Sequence, residues 1–147
     1  MAKRNEKITV GWREWVSFPN HNQLILKAKI DTGARTSSIH ATWVREVVIE
    51  DIPHLQFTIS PPKFSNQGKQ KICLPLIDKR KIKNSFGKTE IRYVVRMKVK
   101  MGSKLFNTEF TLAKRSGMVF QVLIGRKALR KRFIVDPHRS FLTGKPL

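Results

Sequence analysis

Leu24-Ile25-Leu26-Lys27-Ala28-Lys29-Ile30-Asp31-Thr32-Gly33-Ala34 decides how this chain is read. Leu24, Leu26, Ala28 and Ile30 recur at every second position, with Lys27 and Lys29 between them. That is the period of a strand with one dry face and one wet face. The strand runs straight into an acid, Asp31, on a tight glycine turn. Far downstream, Val122-Leu123-Ile124-Gly125-Arg126 is a second apolar run that stops on Gly and hands over to a basic stretch. An acid at the end of one buried strand, with a matching strand that ends on glycine, forms a pair of half-loops.

A period of two extends outward from these segments. Leu55, Phe57 and Ile59 alternate, as do Ile72, Leu74 and Leu76. The longest case is Ile91, Tyr93, Val95, Met97, Val99 and Met101, whose opposite face carries Arg92, Arg96, Lys98 and Lys100. One face packs inward and the other is wet, as in antiparallel sheets. Met101-Gly102-Ser103-Lys104 reads as a turn, with Phe106, Thr108, Phe110 and Leu112 on the returning strand. Asn84-Ser85-Phe86-Gly87 marks another hairpin tip, and Pro61-Pro62 through Gly68 an exposed loop. Helix is scarce; Arg126 to Arg132 is the one candidate, short and directly after Gly125. Short strands with regular turns predict an all-β domain, a small closed barrel or sandwich with one short helix. Residues 1–7 read as a loose basic arm and 8–147 as a single domain.

Composition narrows the function classes. With 147 residues, 40% hydrophobic, the chain is long enough for a core and too apolar for a disordered tail. Cys73 is the single cysteine, which excludes an internal disulfide and a Cys-rich metal knuckle. No membrane-length apolar run and no signal-peptide core occur, so a cytoplasmic protein is expected. The balance of 30 Lys and Arg against 10 Asp and Glu gives a net charge of +20. Such an excess favours acidic polypeptides, nucleic acid or an anionic surface as partners.

Together the two half-loops resemble the halves of the active-site loop in retropepsin-like aspartic proteases, and that resemblance implies for the Asp31 turn the chemistry, dimer and flap that acid proteolysis needs. Two carboxylates share one proton across a water; one acts as base while the other donates to the substrate carbonyl. Asp31 supplies one such acid, and no second Asp-Thr-Gly occurs in the chain. Two chains meeting about a twofold axis would bring two Asp31 loops together, so a homodimer is expected. Gly33 is expected to allow a backbone conformation that a side chain would obstruct. The Thr32 hydroxyl would bond its mate across the axis, and Leu123, Ile124 and Gly125 would be the strand beneath the loop. Lys79 to Glu90 would form a flap over an extended peptide. The competing reading of Asp31-Thr32-Gly33 is an Asx-type turn that merely ends a strand.

Wider motifs carry a family resemblance. Val10-Gly11-Trp12-Arg13-Glu14-Trp15-Val16, Lys29 through Ser38, Leu123-Ile124-Gly125-Arg126 and Phe133-Ile134-Val135-Asp136-Pro137 resemble the family labelled ATP-dependent zinc protease, whose members resemble single-lobed retropepsins. The likeness runs from about Val10 to Leu142. It implies a retropepsin-like acid-protease barrel with one short helix after the second half-loop. Members are often associated with an ATP-grasp ligase that adds glutamates to a ribosomal protein. The resemblance therefore implies a peptidase acting on acidic, glutamate-tailed protein, with ribosomal association. Residue by residue, Asp31 matches the catalytic acid, with Thr32 and Gly33 as its supports. Ala34, Arg35, Thr36, Ser37 and His40 would line or brace the cleft. Arg80, Gly87, Glu90 and Arg92 match the flap region, and Arg126 the basic residue after the second half-loop. Arg35, Arg80 and Arg92 suit substrate carboxylates, which guanidinium grips in bidentate fashion. Asp136, before Pro137, reads as a turn residue held in reserve.

The residues themselves predict no metal and no cofactor. His21, His40, His54 and His138 are isolated, without the His-Glu-x-x-His spacing of a catalytic zinc site. No phosphate-binding glycine loop and no dinucleotide fingerprint occur, so any ATP belongs to a partner. The alternative class is a non-catalytic basic β-barrel module. Lys79-Arg80-Lys81-Ile82-Lys83 and Arg130-Lys131-Arg132 would track RNA or ribosomal phosphates, and Phe64 or Phe86 would stack bases.

Overall fold

Alternation in sequence becomes alternation of burial in the computed structural model, which describes residues 6–83, 86–114 and 119–146. Its strands are β1 Ile8–Val10, β2 Arg13–Phe18, β3 Leu24–Ile30, β4 Ser37–His40, β5 Thr42–Ile49, β6 Ile52–Ile59, β7 Gln70–Pro75, β8 Asp78–Lys83, β9 Thr89–Met101, β10 Lys104–Ala113, β11 Val122–Ile124 and β12 Phe133–Val135. Among the described residues one short α-helix, α1 Arg126–Leu129, follows β11, and a single 3-10 turn covers Lys63–Ser65. Asn84 and Ser85 of the expected hairpin tip, and the first five residues of the expected arm, lie outside the described residues.

Hydrogen bonding runs β10-β4-β11-β3-β2-β9, and β9 pairs back onto β10, so six strands close into a ring. Closure removes exposed edges that would otherwise pair with other chains. The long β9 serves two neighbours on one side: Lys100 meets Ser17 of β2, and its first half pairs with β8. Gly102, at φ +61°, makes the turn from β9 to β10, a backbone region where a side chain is strained. The core is one buried cluster holding Phe18, Leu24, Leu26, Met97, Phe110 and Ile124.

Between β4 and β8 lies a second sheet that periodicity alone does not separate from the first. β5, β6 and β7 pair only with one another, yet Leu55, Phe57, Ile59 and Ile72 join the same buried cluster as the ring. A surface clamp joins this sheet to the β8–β9 hairpin. Glu46 lies 3.0 Å from the Lys79 ammonium and accepts a 3.1 Å bond from the Tyr93 hydroxyl. The hydrogen bond from Lys79 holds the Glu46 carboxyl below its ordinary value of 4.5. A carboxylate depressed by folding stabilises the native state above its unfolded value and ceases to do so as pH falls through the folded one. Acid is therefore expected to loosen the β5–β7 sheet from the hairpin below that value. Glu46→Gln should show the same loosening at neutral pH, read as faster hydrogen exchange in β5 to β7.

Three expectations are modified. The helix ends at Leu129 rather than Arg132: Arg130 is extended and Lys131 has φ +70°, which turns the chain into β12. Ile91 is 48% exposed, because the first half of β9 projects with β8 beyond the ring. Val94, on the face expected to be wet, is fully buried.

The C-terminal segment closes one end of the ring. Trp12 N–H donates to Arg139 O, Asp136 N–H to Val10 O and Phe141 N–H to Arg13 O. Beneath them Glu14 is completely buried, and its carboxylate accepts from the amides of Gly11, Leu142 and Thr143 and from the Thr143 hydroxyl, at 2.7 to 3.1 Å. Among the described residues no helix is long and apolar enough to cross a membrane.

Candidate active site

β3 delivers Asp31 to its end, and β11 fixes it there. Asp31 N–H donates to Ile124 O at 2.8 Å, because β11 runs parallel to β3 with Ile124 opposite Ile30. β11 also runs antiparallel to β4, so it threads between the two strands joined by the Asp31–Thr36 loop. The halves then interlock. Arg126 N–H donates to Ala34 O, Lys127 N–H to Arg35 O and Gly125 N–H to the Ser37 hydroxyl oxygen at 3.0 Å.

Within the loop, Gly33 N–H donates to Asp31 Oδ1 at 2.9 Å and Ala34 N–H to Asp31 O at 3.2 Å. This is an Asx turn, so the turn reading and the acid-loop reading describe one geometry. Asp31 is partly exposed, and its second carboxylate oxygen has no partner among the described residues. Gly33 does not adopt the left-handed backbone region; a Cβ there would stand 3.2 Å from Asp31 Oδ1 and crowd the carboxylate.

Gly125 is the close-approach residue. A Cβ on it would fall 2.8 Å from the Thr36 carbonyl carbon and 2.9 Å from Ala34 O, backbone against which no rotamer can yield. Gly125→Ala is expected to destabilise the fold by about 1–3 kcal/mol through overpacking. By moving the Asp31 loop it should also cost about a hundredfold in turnover. Urea denaturation alongside single-turnover kinetics checks both.

The other expected site residues divide into two groups. Thr32 is exposed, and Arg126 reaches across to donate to its carbonyl at 3.0 Å. Ala34, Arg35, Thr36 and Ser37 are brought together with Gly125 to Lys127; Arg35 points to solvent, whereas Ser37 is buried. His40 stands at the far end of β4, its N–H on Gln121 O, away from the Asp31 end. Arg80, Gly87, Glu90 and Arg92 sit on the β8–β9 hairpin, with Arg80 directly opposite Arg92. Gly87 has φ +77°, and Arg92 pairs with Glu90 at 3.2 Å. Asp136 accepts from His138 N–H and lies 3.8 Å from Arg139, as a turn residue would.

One residue that sequence reasoning passed over connects the groups. Glu109 on β10 lies 3.5 Å from Lys127 beside the loop, 3.6 Å from Arg96 and 3.7 Å from Arg80 on the hairpin. Counting register back from the Gly102 turn places Glu109 opposite Arg96, a signal present in the sequence. Glu14 had a signal as well: it shares the face of Val16 and Phe18, the inward one. Among the described residues no three His, Cys, Asp or Glu side chains converge.

A profile of the family described as "Retropepsin-like aspartic endopeptidase RimB" matches residues 9–146, nearly the whole chain. The chain belongs to this family. The ATP-dependent zinc protease label expected from the motifs is not the description that this profile carries. The ring with β11 threaded between β3 and β4 is thus the retropepsin-like fold, and Asp31 stands on its Asx turn at the end of β3. The fold is also that of a crystal structure of a protein of unknown function from Legionella pneumophila, with a TM-score of 0.80 and 30% identity over 94% of this chain and 99% of that one. Relatives named "Probable alpha-L-glutamate ligase" are 37% identical over 93% of this chain in Desulfotalea psychrophila and 36% identical over 96% in Shewanella pealeana. The chain spans about three-tenths of the length of these relatives, 30% and 31% respectively.

Proposed function

We propose that this chain is a peptidase of aspartic type that works as a homodimer and cleaves or trims acidic, glutamate-tailed protein. The observation that carries the reading is the Asp31 carboxylate itself. One oxygen is held by Gly33 N–H, the other is open, and Ile124 O fixes the residue from behind. In a dimer each protomer contributes one such acid. The pair holds one proton between them: the ionised carboxylate takes a second proton from the attacking water as its oxygen bonds to the peptide carbon, while the protonated one gives its own to the carbonyl oxygen. Thr32, exposed next to Asp31, would bond its mate across the axis of such a dimer. Exposed Arg35, in no ion pair among the described residues, would grip substrate carboxylates; Arg80, held by Asp78 at 2.8 Å, and Arg92, held by Glu90 at 3.2 Å, would have to exchange those partners for substrate ones.

Two further facts support the substrate class. A net charge of +20 draws acidic chains towards the protein. Relatives named for glutamate ligation include a stretch like this one in about three-tenths of their length, which suits a module that removes what a ligase adds. A ribosomal protein bearing such a tail is the natural candidate, encountered in the cytoplasm.

Mass spectrometry of a glutamate-tailed protein incubated with the purified chain tests the reading. Cleavage that survives a metal chelator, with activity per chain falling on dilution, is expected. No cleavage by a demonstrated dimer would overturn it. A specific observation favours a second reading in that event. Trp43, 84% exposed at φ +55°, stands beside Arg45, Lys69 and Lys71, an aromatic platform among cations of the kind that stacks single-stranded RNA. Binding would then fall steeply with salt and ignore Asp31.

A further inference from the structure

The outer face of the strands that carry Asp31 leads away from it into a built cavity. Ile30, Ala28 and Leu26 of β3 face the core, so Lys29 and Lys27 face outward. Leu123 is in register with both Lys29 and Ser38, which makes one outward row beside the Asp31 loop. One strand period further on, Lys27, Gln121 and His40 form a second row. This row lies in the wall of a cavity of about 880 Å³.

The roof is the loop between β6 and β7, and two amides pin it down. Gln67 accepts from Ile25 N–H at 2.7 Å and donates to Ile25 O at 2.8 Å, pairing with β3 where β11 has not yet begun. Gln121 donates to Ser60 O at 2.8 Å at the other side. Trp15 contributes to the wall, and two ammonium groups rest on its ring. Lys27 Nζ lies 5.3 Å and Lys145 Nζ 4.8 Å from the ring centroid. No Asp or Glu lines the cavity among the described residues, and neither lysine is in a described ion pair. Two like charges gathered about one aromatic ring, with no acid lining the cavity among the described residues, attract an anion. Each cation retains donors that the ring leaves unused.

We propose that this cavity is a distal subsite for carboxylate side chains of a substrate peptide, gripped by Lys27 and Lys145, while the peptide bond to be cut lies at Asp31. The proposal rests on the peptidase reading and extends it to positions remote from the scissile bond. Lys27 stands four strand positions from Asp31, roughly 13 Å along an extended chain. The subsite therefore reads a side chain about four residues from the cut and sets a minimum length for good substrates. Binding energy from such a remote contact favours long acidic segments over short ones.

Fluorescence anisotropy with labelled oligoglutamates of about eight and about three residues tests it, using the full chain carrying Asp31→Asn so that turnover does not intervene. Adding Lys27→Ala and Lys145→Ala together is expected to weaken the long peptide at least tenfold and leave the short one unchanged. Lys27→Arg should restore most of the affinity. Phe64→Ala, on the cavity rim and 85% exposed, should weaken the long peptide severalfold with no change in thermal midpoint. Equal weakening of both peptides, or of neither, would overturn the proposal. So would tighter binding of an RNA of matching length that depends on the same two lysines. Failure of the peptidase reading is separately visible. Wild type that never cleaves, although long-peptide binding depends on Lys27 and Lys145, removes the catalytic assignment and retains the subsite as a binding pocket. Cleavage without that dependence does the reverse.

Discussion

Asp31→Asn is expected to lower kcat/KM on an acidic substrate by about 10²–10⁴-fold, the range spanned by loss of a positioned general acid or base. The thermal midpoint should barely move. Asparagine has the same shape, and its amide oxygen can keep accepting from Gly33 N–H, the bond that forms the turn. Asn and Asp serve Asx turns equally well. A purely structural Asp31 would therefore tolerate the change with activity intact, whereas an amide cannot share or pass a proton. Because the proposed site needs an Asp31 from each of two chains, excess Asp31→Asn protein mixed with wild type should suppress activity beyond simple dilution. Activity that stays proportional to the wild-type chains in the mixture would remove the shared-site dimer.

Glu14→Ala is expected to be the most destabilising single substitution away from the site, at about 3–5 kcal/mol, as for loss of a buried charged group that holds several partners. It strands the amides of Gly11, Leu142 and Thr143 together with the Thr143 hydroxyl. A buried donor without an acceptor costs about 1–3 kcal/mol, and partial rehydration keeps the total below the sum. In a domain of this size the thermal midpoint should fall by roughly 10–15 °C. Hydrogen exchange locates the damage: the Trp12 and Phe141 amides, bonded to Arg139 O and Arg13 O, should lose protection first. Glu14→Gln should be only partly better, since its NH₂ group would face donors. A cost under about 1 kcal/mol would mean that stacking of Phe141 on Trp15, with centroids 5.6 Å apart, carries the C-terminal segment instead.

Particular elements show what could be read in advance. β3, β6, β9 and β10 were visible because side-chain alternation is a local property, carried by neighbours two residues apart. The turn at Gly102 was visible for the same reason. The boundary of α1 was not: Arg130 to Arg132 look helical by composition, but the chain must turn at Lys131 for Phe133 to pair with Ile8 of β1. The buried state of Val94 was likewise set by tertiary packing, not by its own strand.

The half-loops around Asp31 and Gly125 could be named from the sequence because each is a few residues of strand ending in a turn, complete in itself. Their interlocking could not, since it depends on β11 entering between β3 and β4, an event of ring closure. Glu14 and Glu109 are ordinary acids as letters in a chain. One became a buried clamp because the C-terminal segment folds back over it, the other a junction because β8, β9 and α1 converge on it. The cavity over Lys27 exists only because Gln67 and Gln121 fasten an inserted loop to strands distant in sequence. Periodicity decides which way a side chain faces; what it meets there depends on segments that only the closed fold brings together.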